Sequence, residues 1–230
     1  LFIYANTGLE HVKTLEFVNK CDEYFNINLV WVEAVVHHNE RTSSSHKVVN
    51  FETASRNGEP FKEVIKKYGL PNKHFFHCTR ELKNNPITSF CNTYCDSVVK
   101  VFQSEIDDKI SKDENNIKIF YPFYKSRRAL GIRADEQKRI KVRVDAWYPL
   151  NSVFFVTKKD VKDFWSKQPF QLDLPEHLGN CRACYKKSEK KLKLVAESEP
   201  DVFDFFIEME NEYSHLKSKD ENTPRKIYRF

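Results

Sequence analysis

The chain has 230 residues, 40% hydrophobic and 31% charged, with 38 Lys and Arg against 33 Asp and Glu for a formal net charge of +5. That length suits one large α/β domain, or one domain with a helical appendage, and no apolar run reaches the roughly 20 residues that a bilayer span needs. Neither a basic start nor a small-residue cleavage site opens the chain, so the expectation is a soluble, cytoplasmic protein with no membrane partner. The mild positive excess permits nucleic acid or nucleotide partners without requiring them.

Leu1 to Ala5 reads as a buried strand. Thr7 and Glu10 fit a T-x-x-E capping box, which predicts a helix from about His11 to Tyr24 with Val12, Leu15, Val18 and Cys21 facing inward. Leu29 to Val36 is nearly apolar and predicts a strand covered on both faces. Strand, helix and strand in that order imply a parallel crossover. The polar, Ser-rich stretch from His37 to Asn50 reads as a loop after a strand's carboxyl end, where open α/β sheets hold their ligands. Asn57-Gly58 marks a turn, Pro60 starts a short helix through Tyr68, and Gly69-Leu70-Pro71 stops it.

Cys78-Thr79 opens a further helix that Pro86 restarts, with Ile87, Phe90, Cys91 and Tyr94 along one stripe. The composition turns charged from Asp96 to Lys118, which predicts an insertion. Ala129 to Arg133 reads as a strand that runs into the polar loop Ala134 to Arg139. Tyr148-Pro149-Leu150 is a turn ahead of Val153-Phe154-Phe155. Thr157 with Asp160 predicts a helix cap, with Val161, Phe164 and Trp165 as the buried face. Two helices separated by Pro200 follow, over Ser188 to Glu197 and Asp201 to Leu216, the second carrying Val202, Phe205, Phe206 and Met209. The predicted organisation is a domain over 1–150 with the insertion at 96–118, a C-terminal helical region over 151–216 that holds the metal site, and a tail over 217–230.

Six cysteines with one C-x-x-C and no export signal point to a metal or redox set in a reducing compartment rather than to disulfides. Cys181 and Cys184 place two sulfur donors within reach of one metal, and a structural zinc is one reading of the pair. Cys78, at a predicted helix start where the dipole favours a thiolate, is the candidate third donor if the fold brings it there. His77 beside it is the histidine of interest. Cys21, Cys91 and Cys95 read first as core or helix-face residues. Thr7-Gly8, where a strand meets a helix, presents backbone N–H groups that favour an anion, and a plain capped helix is the commoner use of such residues. Arg133, Asp135, Glu136 and Arg139 follow a strand in the same way, and the two arginines could grip phosphate oxygens, although a charged, solvated loop is the commoner explanation for such residues.

Several blocks taken in order resemble motifs of the phosphoadenosine phosphosulfate reductase-like family. They are Tyr4 to His11, Val48 to Phe51 with Arg56 to Phe61, His77 to Lys83, Gly131 to Glu136, Tyr148 to Leu150, Asp160-Val161 with Phe164-Trp165, and Gly179 to Cys184 with Lys187-Ser188. The resemblance runs over residues 1 to 215, interrupted by the charged segment. It implies an adenine nucleotide α-hydrolase fold: a Rossmann-like parallel sheet with flanking helices and a C-terminal helical segment, binding ATP or a related adenine nucleotide at its carboxyl edge. By the same resemblance Asn6, Thr7 and Gly8 border the nucleotide, and Gly131, Arg133 and Glu136 lie at its phosphate side. Cys78, Cys181 and Cys184 would bind a [4Fe-4S] cluster, with zinc as the alternative.

Three ligands leave one iron open, which implies sulfur transfer onto an adenylated acceptor, with nucleic acid or a sulfur-donor protein as further partners. Two departures qualify the match. The family's Ser-Gly-Gly-Lys-like phosphate loop is absent from this sequence and is expected upstream of Leu1. No cysteine follows Cys184, which disfavours the cysteine mechanism of sulfonucleotide reduction. Lys125, Arg127 and Arg128, near Tyr121 and Tyr124, are compatible with a strip that binds a nucleic-acid backbone.

Overall fold

The computed structural model describes residues 1–72, 74–95, 128–141 and 146–213. Contacts divide the chain into two units, Leu1–Asp96 with Leu172–Phe230, and Ser97–Gln171. The sequence places its boundary at 150, whereas this division falls near 96 and 172. The charged insertion at 96–118, the basic strip up to Arg127 and the tail from 217 lie outside the described residues.

In the first unit, β1 (Ile3–Asn6), α1 (Val12–Phe25) and β2 (Val30–Val35) follow one another, and the two strands pair in parallel with Ile3 opposite Val30 and Asn6 opposite Glu33. The next strand departs from expectation. β3 (Ser45–Val49) lies within the stretch read as a loop and pairs antiparallel to β2, from Trp31 opposite Val49 to Val35 opposite Ser45. The sheet, in the order β1-β2-β3, is therefore mixed. None of the β3 residues is buried, and a half-solvated edge strand has the polar composition of a loop.

The helix after β1 lies within a residue of its expected bounds, but a different residue caps it. His11 caps α1, its Nδ1 accepting from the Lys13 N–H at 3.0 Å, and Thr7 and Glu10 form a separate turn before it. Leu15 is the buried residue of α1, while Val12 is exposed. α2 (Glu59–Tyr68) matches its prediction. Pro60 sits in its first turn, Gly69 ends it, and Phe61, Val64 and Ile65 are buried at helical spacing.

Residues along β2 alternate between two faces and both are covered. Trp31 joins Leu15 and Ala54 on one side, while Ala34 joins Leu9, Ile65, Leu82 and Phe206 on the other. The second cluster is the larger, and full burial of a side chain such as Ile65 stabilises by about 2–3 kcal/mol. α3 (His77–Thr79) runs into a π-helical turn, Arg80–Asn84, and helical structure continues over 85–95. At the C-terminal end, α6 (Glu189–Ser198) is capped by Ser188 and α7 (Asp204–Tyr213) follows the short turn Pro200–Phe203. The rings of Phe205 and Phe206 stand edge-on to Phe61, which joins α7 to α2.

In the second unit, β4 (Arg128–Ala129) pairs in parallel with β5 (Ala146–Trp147), a much shorter strand than Ala129 to Arg133 predicts. α4 (Pro149–Ser152) and α5 (Lys158–Trp165) follow, the latter opened by the predicted capping box of Thr157 and Asp160. Of its expected inward face, Val161 and Trp165 are half-buried and Phe164 is exposed, so that face is only partly covered. Among the described residues no helix is long and apolar enough to cross a membrane.

Candidate thiol site

The C-x-x-C turn is stitched to the junction between β1 and α1. Glu10 and Cys181 form an antiparallel bridge, and the Arg182 N–H donates to the Leu9 carbonyl at 3.2 Å. Side chains extend the join. The Thr7 hydroxyl lies 3.4 Å from Cys181 Sγ and donates to Glu10 Oε2 at 2.7 Å, and the Thr7 N–H donates to the same oxygen at 3.0 Å. The T-x-x-E pattern thus closes a buried turn whose carboxylate faces a thiol.

Cys78 reaches the same neighbourhood from the other end of the sequence. Its Sγ lies 4.0 Å from the hydroxyl of Tyr185, 107 positions later, and it packs against the core that also receives Cys181. Cys184 follows Cys181 in a tight turn, its N–H donating to the Cys181 carbonyl at 3.2 Å. Cys78 and Cys181 each lie near enough to Cys184 for their ionised sulfurs to repel its own. Among the described residues, no group of three His, Cys, Asp or Glu side chains is close enough to hold a metal ion. All six cysteines are free thiols, and Cys21, Cys91 and Cys95 lie on other helical segments.

Charge at the site is set by Glu10 and Lys83. The wider π turn lets Glu81, Leu82 and Lys83 all reach inward, and Lys83 Nζ stands 3.5 Å from Glu10 Oε1. Burial opposes the ammonium, yet Glu10 and the nearby sulfurs outweigh it and hold the lysine charged. Burial, and then the Glu10 carboxylate, push the Cys181 thiol up to about 12, with Lys83 working the other way. Cys78 is raised by burial, and Tyr185 likewise. The Tyr4 phenol, raised by burial and by the charge of Glu10, has no hydrogen-bond partner, nor does the Thr14 hydroxyl. A half-buried ammonium therefore stands beside Cys78 and Cys181, two thiols that burial keeps protonated, with Glu10 reinforcing this at Cys181.

The other residues singled out from sequence take defined places. Asn6 Nδ2 donates to Glu33 Oε1 at 2.6 Å and to the Ser55 carbonyl at 2.8 Å, and its own oxygen accepts from the Gly8 N–H at 3.3 Å. The N–H groups of Thr7 and Gly8 thus point to carboxylate and amide oxygens of the chain itself. Gly8 has φ +82°, and a Cβ there would lie 3.1 Å from the Cα of Gly58, so the close approach it permits is taken by the Gly58 turn. His77 is half-buried and hydrogen-bonded to the Gly69 carbonyl at 3.0 Å, with desolvation lowering its pKa.

In the second unit, Gly131 is exposed, while Arg133 pairs with Asp135 at 2.9 Å and Glu136 at 3.4 Å, and Arg139 pairs with Glu136 at 2.6 Å. Both arginines there are neutralised by carboxylates of their own loop.

Sequence reading missed three charges besides Glu10, two of them buried and one half-buried. Glu33, fully buried in β2, accepts from Asn6, from Ser55 N–H at 2.6 Å and Ser55 Oγ at 2.9 Å, and pairs with Lys47 at 3.0 Å. Glu81 accepts from the backbone and hydroxyl of Ser44 and from Arg80. Lys83 is the third. Glu33 was detectable, as the one acid inside an apolar strand, whereas Glu81 and Lys83 sit in a segment with no apolar pattern to interrupt.

Fold and site together define a mixed α/β protein with small sheets and a buried thiol neighbourhood at the end of its first strand. Among proteins already described, an uncharacterised nin region protein of Escherichia phage lambda, ORF290, is 29% identical over 229 residues, which cover 98% of this chain and 69% of that one. No protein-family model matches the sequence, and no solved structure matches it.

Proposed function

We propose that this protein is a nucleotide-dependent sulfurtransferase of the phosphoadenosine phosphosulfate reductase-like type, with its chemistry at Cys78, Cys181 and Cys184. One observation carries the reading: Cys78 and the Cys181–Cys184 turn, distant in sequence, border one core near the carboxyl end of β1, beside Lys83, where a Rossmann-like sheet holds its ligand. The parallel β1–α1–β2 unit supports that fold, with adenine nucleotide as the ligand.

The donor chemistry fits a [4Fe-4S] cluster, since the three side chains are soft sulfur donors and Lys83 balances negative charge on them. Bound there, a cluster with three protein ligands supplies an iron position able to hold a sulfur atom. The chain's own residues do the rest. Glu10 fixes Thr7 and Lys83, the Leu9–Arg182 and Glu10–Cys181 backbone contacts hold the turn in place, and surrounding core residues exclude water. A nucleotide phosphate at Arg133 has to displace Asp135 or Glu136.

Anaerobic purification followed by iron, sulfide and zinc analysis tests the reading. About four irons per chain with broad visible absorbance are expected, and Cys181→Ala should remove them. Zinc at the site makes it a structural clamp in a binding module and overturns the sulfur-transfer reading, as does a full cluster retained in Cys181→Ala.

A further inference from the structure

The protein's positive charge is not spread evenly. Residues 97–171, the second unit, hold sixteen Lys and Arg against ten Asp and Glu, an excess of six in a chain whose net charge is +5. The rest of the sequence is close to neutral. Within the unit, Arg133 and Arg139 are spent on Asp135 and Glu136, but Lys158, Lys159 and Lys162 all lie exposed along α5.

Immediately before those lysines the chain exposes aromatic surface. Phe154 and Phe155 are 67% and 69% exposed. The loop that carries them is pinned on both sides: the Phe154 N–H donates to the Pro149 carbonyl at 3.0 Å, the Val156 N–H to Leu150 at 2.7 Å, and the Ala134 N–H to the Val156 carbonyl at 2.8 Å. Thr157 then caps α5. Phe155 has φ +52°, a conformation a bulky residue adopts only under constraint, so the loop bears strain while holding two rings in water. Two fixed apolar rings next to three exposed ammonium groups, which outnumber Asp160 and Asp163 on the same helix, match a strand that offers bases to stack and phosphates to pair.

We infer that Phe154, Phe155, Lys158, Lys159 and Lys162 form a binding face for single-stranded nucleic acid, with the rings stacking on bases and the lysines tracking the backbone. The inference is independent of the thiol site, because it rests on the second unit alone. Compared with a duplex, a single strand is favoured because unpaired bases expose the faces that rings can cover.

The test is fluorescence anisotropy of labelled single-stranded RNA and DNA 20-mers, and of a matched duplex, titrated with the full chain. Raising salt from about 50 to about 200 mM should weaken single-strand binding about 20-fold for three phosphate contacts. Phe154→Ser with Phe155→Asn, where Asn accepts the positive φ, should weaken it about 10-fold or more. Lys158→Glu with Lys162→Glu should do the same and flatten the salt dependence, while Lys190→Glu with Lys193→Glu, on α6 of the first unit, should leave it unchanged. Absence of binding at low salt overturns the inference. So does equal affinity for duplex with no loss in the Phe variant, which would make the contact one of charge alone. Sedimentation of the same variants separates a protein interface: loss of self-association with nucleic-acid binding intact also overturns it.

Discussion

Removal of the Glu33 carboxylate should nearly unfold the first unit. This side chain is fully buried at the centre of β2 and receives hydrogen bonds from Asn6, Ser55 N–H and Ser55 Oγ, with Lys47 at 3.0 Å. Glu33→Ala leaves the Ser55 amide and hydroxyl without their acceptor and frees one Asn6 N–H. Stranding the partners of a buried charge costs about 3–5 kcal/mol, a large part of the roughly 5–15 kcal/mol that holds a domain folded. Lys47 adds little, since its side chain is half exposed and turns to water. Glu33→Gln keeps an oxygen for Asn6 and Ser55 N–H but turns an N–H toward Lys47, for an expected loss of about 1–2 kcal/mol.

Urea unfolding followed by tryptophan fluorescence measures both variants, with Trp31 on the same strand reporting on this unit. The pH dependence gives a second reading. Burial opposes ionisation of Glu33, but the bonds from Asn6, Lys47 and Ser55 outweigh it and hold the carboxyl below its ordinary value. The unfolded chain therefore binds the proton more readily, at about pH 4.3. The contribution is complete above that value and is lost as pH falls through the lower, folded one. Wild type should lose stability steeply below about pH 4.5, and Glu33→Gln should flatten that fall. An Ala variant with an unchanged urea midpoint would refute the reasoning.

Other substitutions probe separate parts of the molecule. Gly58→Ala places a Cβ 2.6 Å from the Phe205 ring and 2.9 Å from Leu9 at φ +81°, and should cost about 2–4 kcal/mol in thermal unfolding. Lys83→Met removes the cation 3.5 Å from the buried Glu10 carboxylate and should cost about 1–3 kcal/mol in urea melts at pH 7. Phe206→Ala removes a ring fully buried against Phe61 and should cost about 3–5 kcal/mol, read from the same melts. Thr157→Ala removes the capping box of α5 and should weaken hydrogen-exchange protection over Lys158–Trp165 by about 1 kcal/mol, with the first unit unaffected.

Local chemistry made much of the scaffold legible. Pro60 and Gly69 bracket α2, Thr157 with Asp160 opens α5, and the apolar run at Val30–Val35 is a strand covered on both faces, because caps, ring constraints and hydrophobic period act over a few residues. The Thr7–Glu10 pair shows where that reach ends. The same two residues that cap a helix in isolation close a buried turn here, since Glu10 is drawn to Lys83 and backbone from the Cys181 turn pairs beside it. Polar composition likewise hid β3, because an edge strand with one wet face carries the residues of a loop.

What the sequence determined by itself was the kind of parts present: a parallel strand–helix–strand unit, a C-x-x-C pair with a distant Cys78, and a positive charge excess. Only the tertiary structure decided how they are used. It set Cys78 and the Cys181–Cys184 turn beside the same Lys83, turned the N–H groups of Thr7 and Gly8 onto the chain's own oxygens, and left Phe154 and Phe155 in water. The thiol placement depends on partners far apart in sequence, the Thr7–Glu10 turn on the distant Lys83 and Cys181 beside it, and the exposed rings on the competition between burial and hydration; none of these is encoded in the pattern of neighbouring residues.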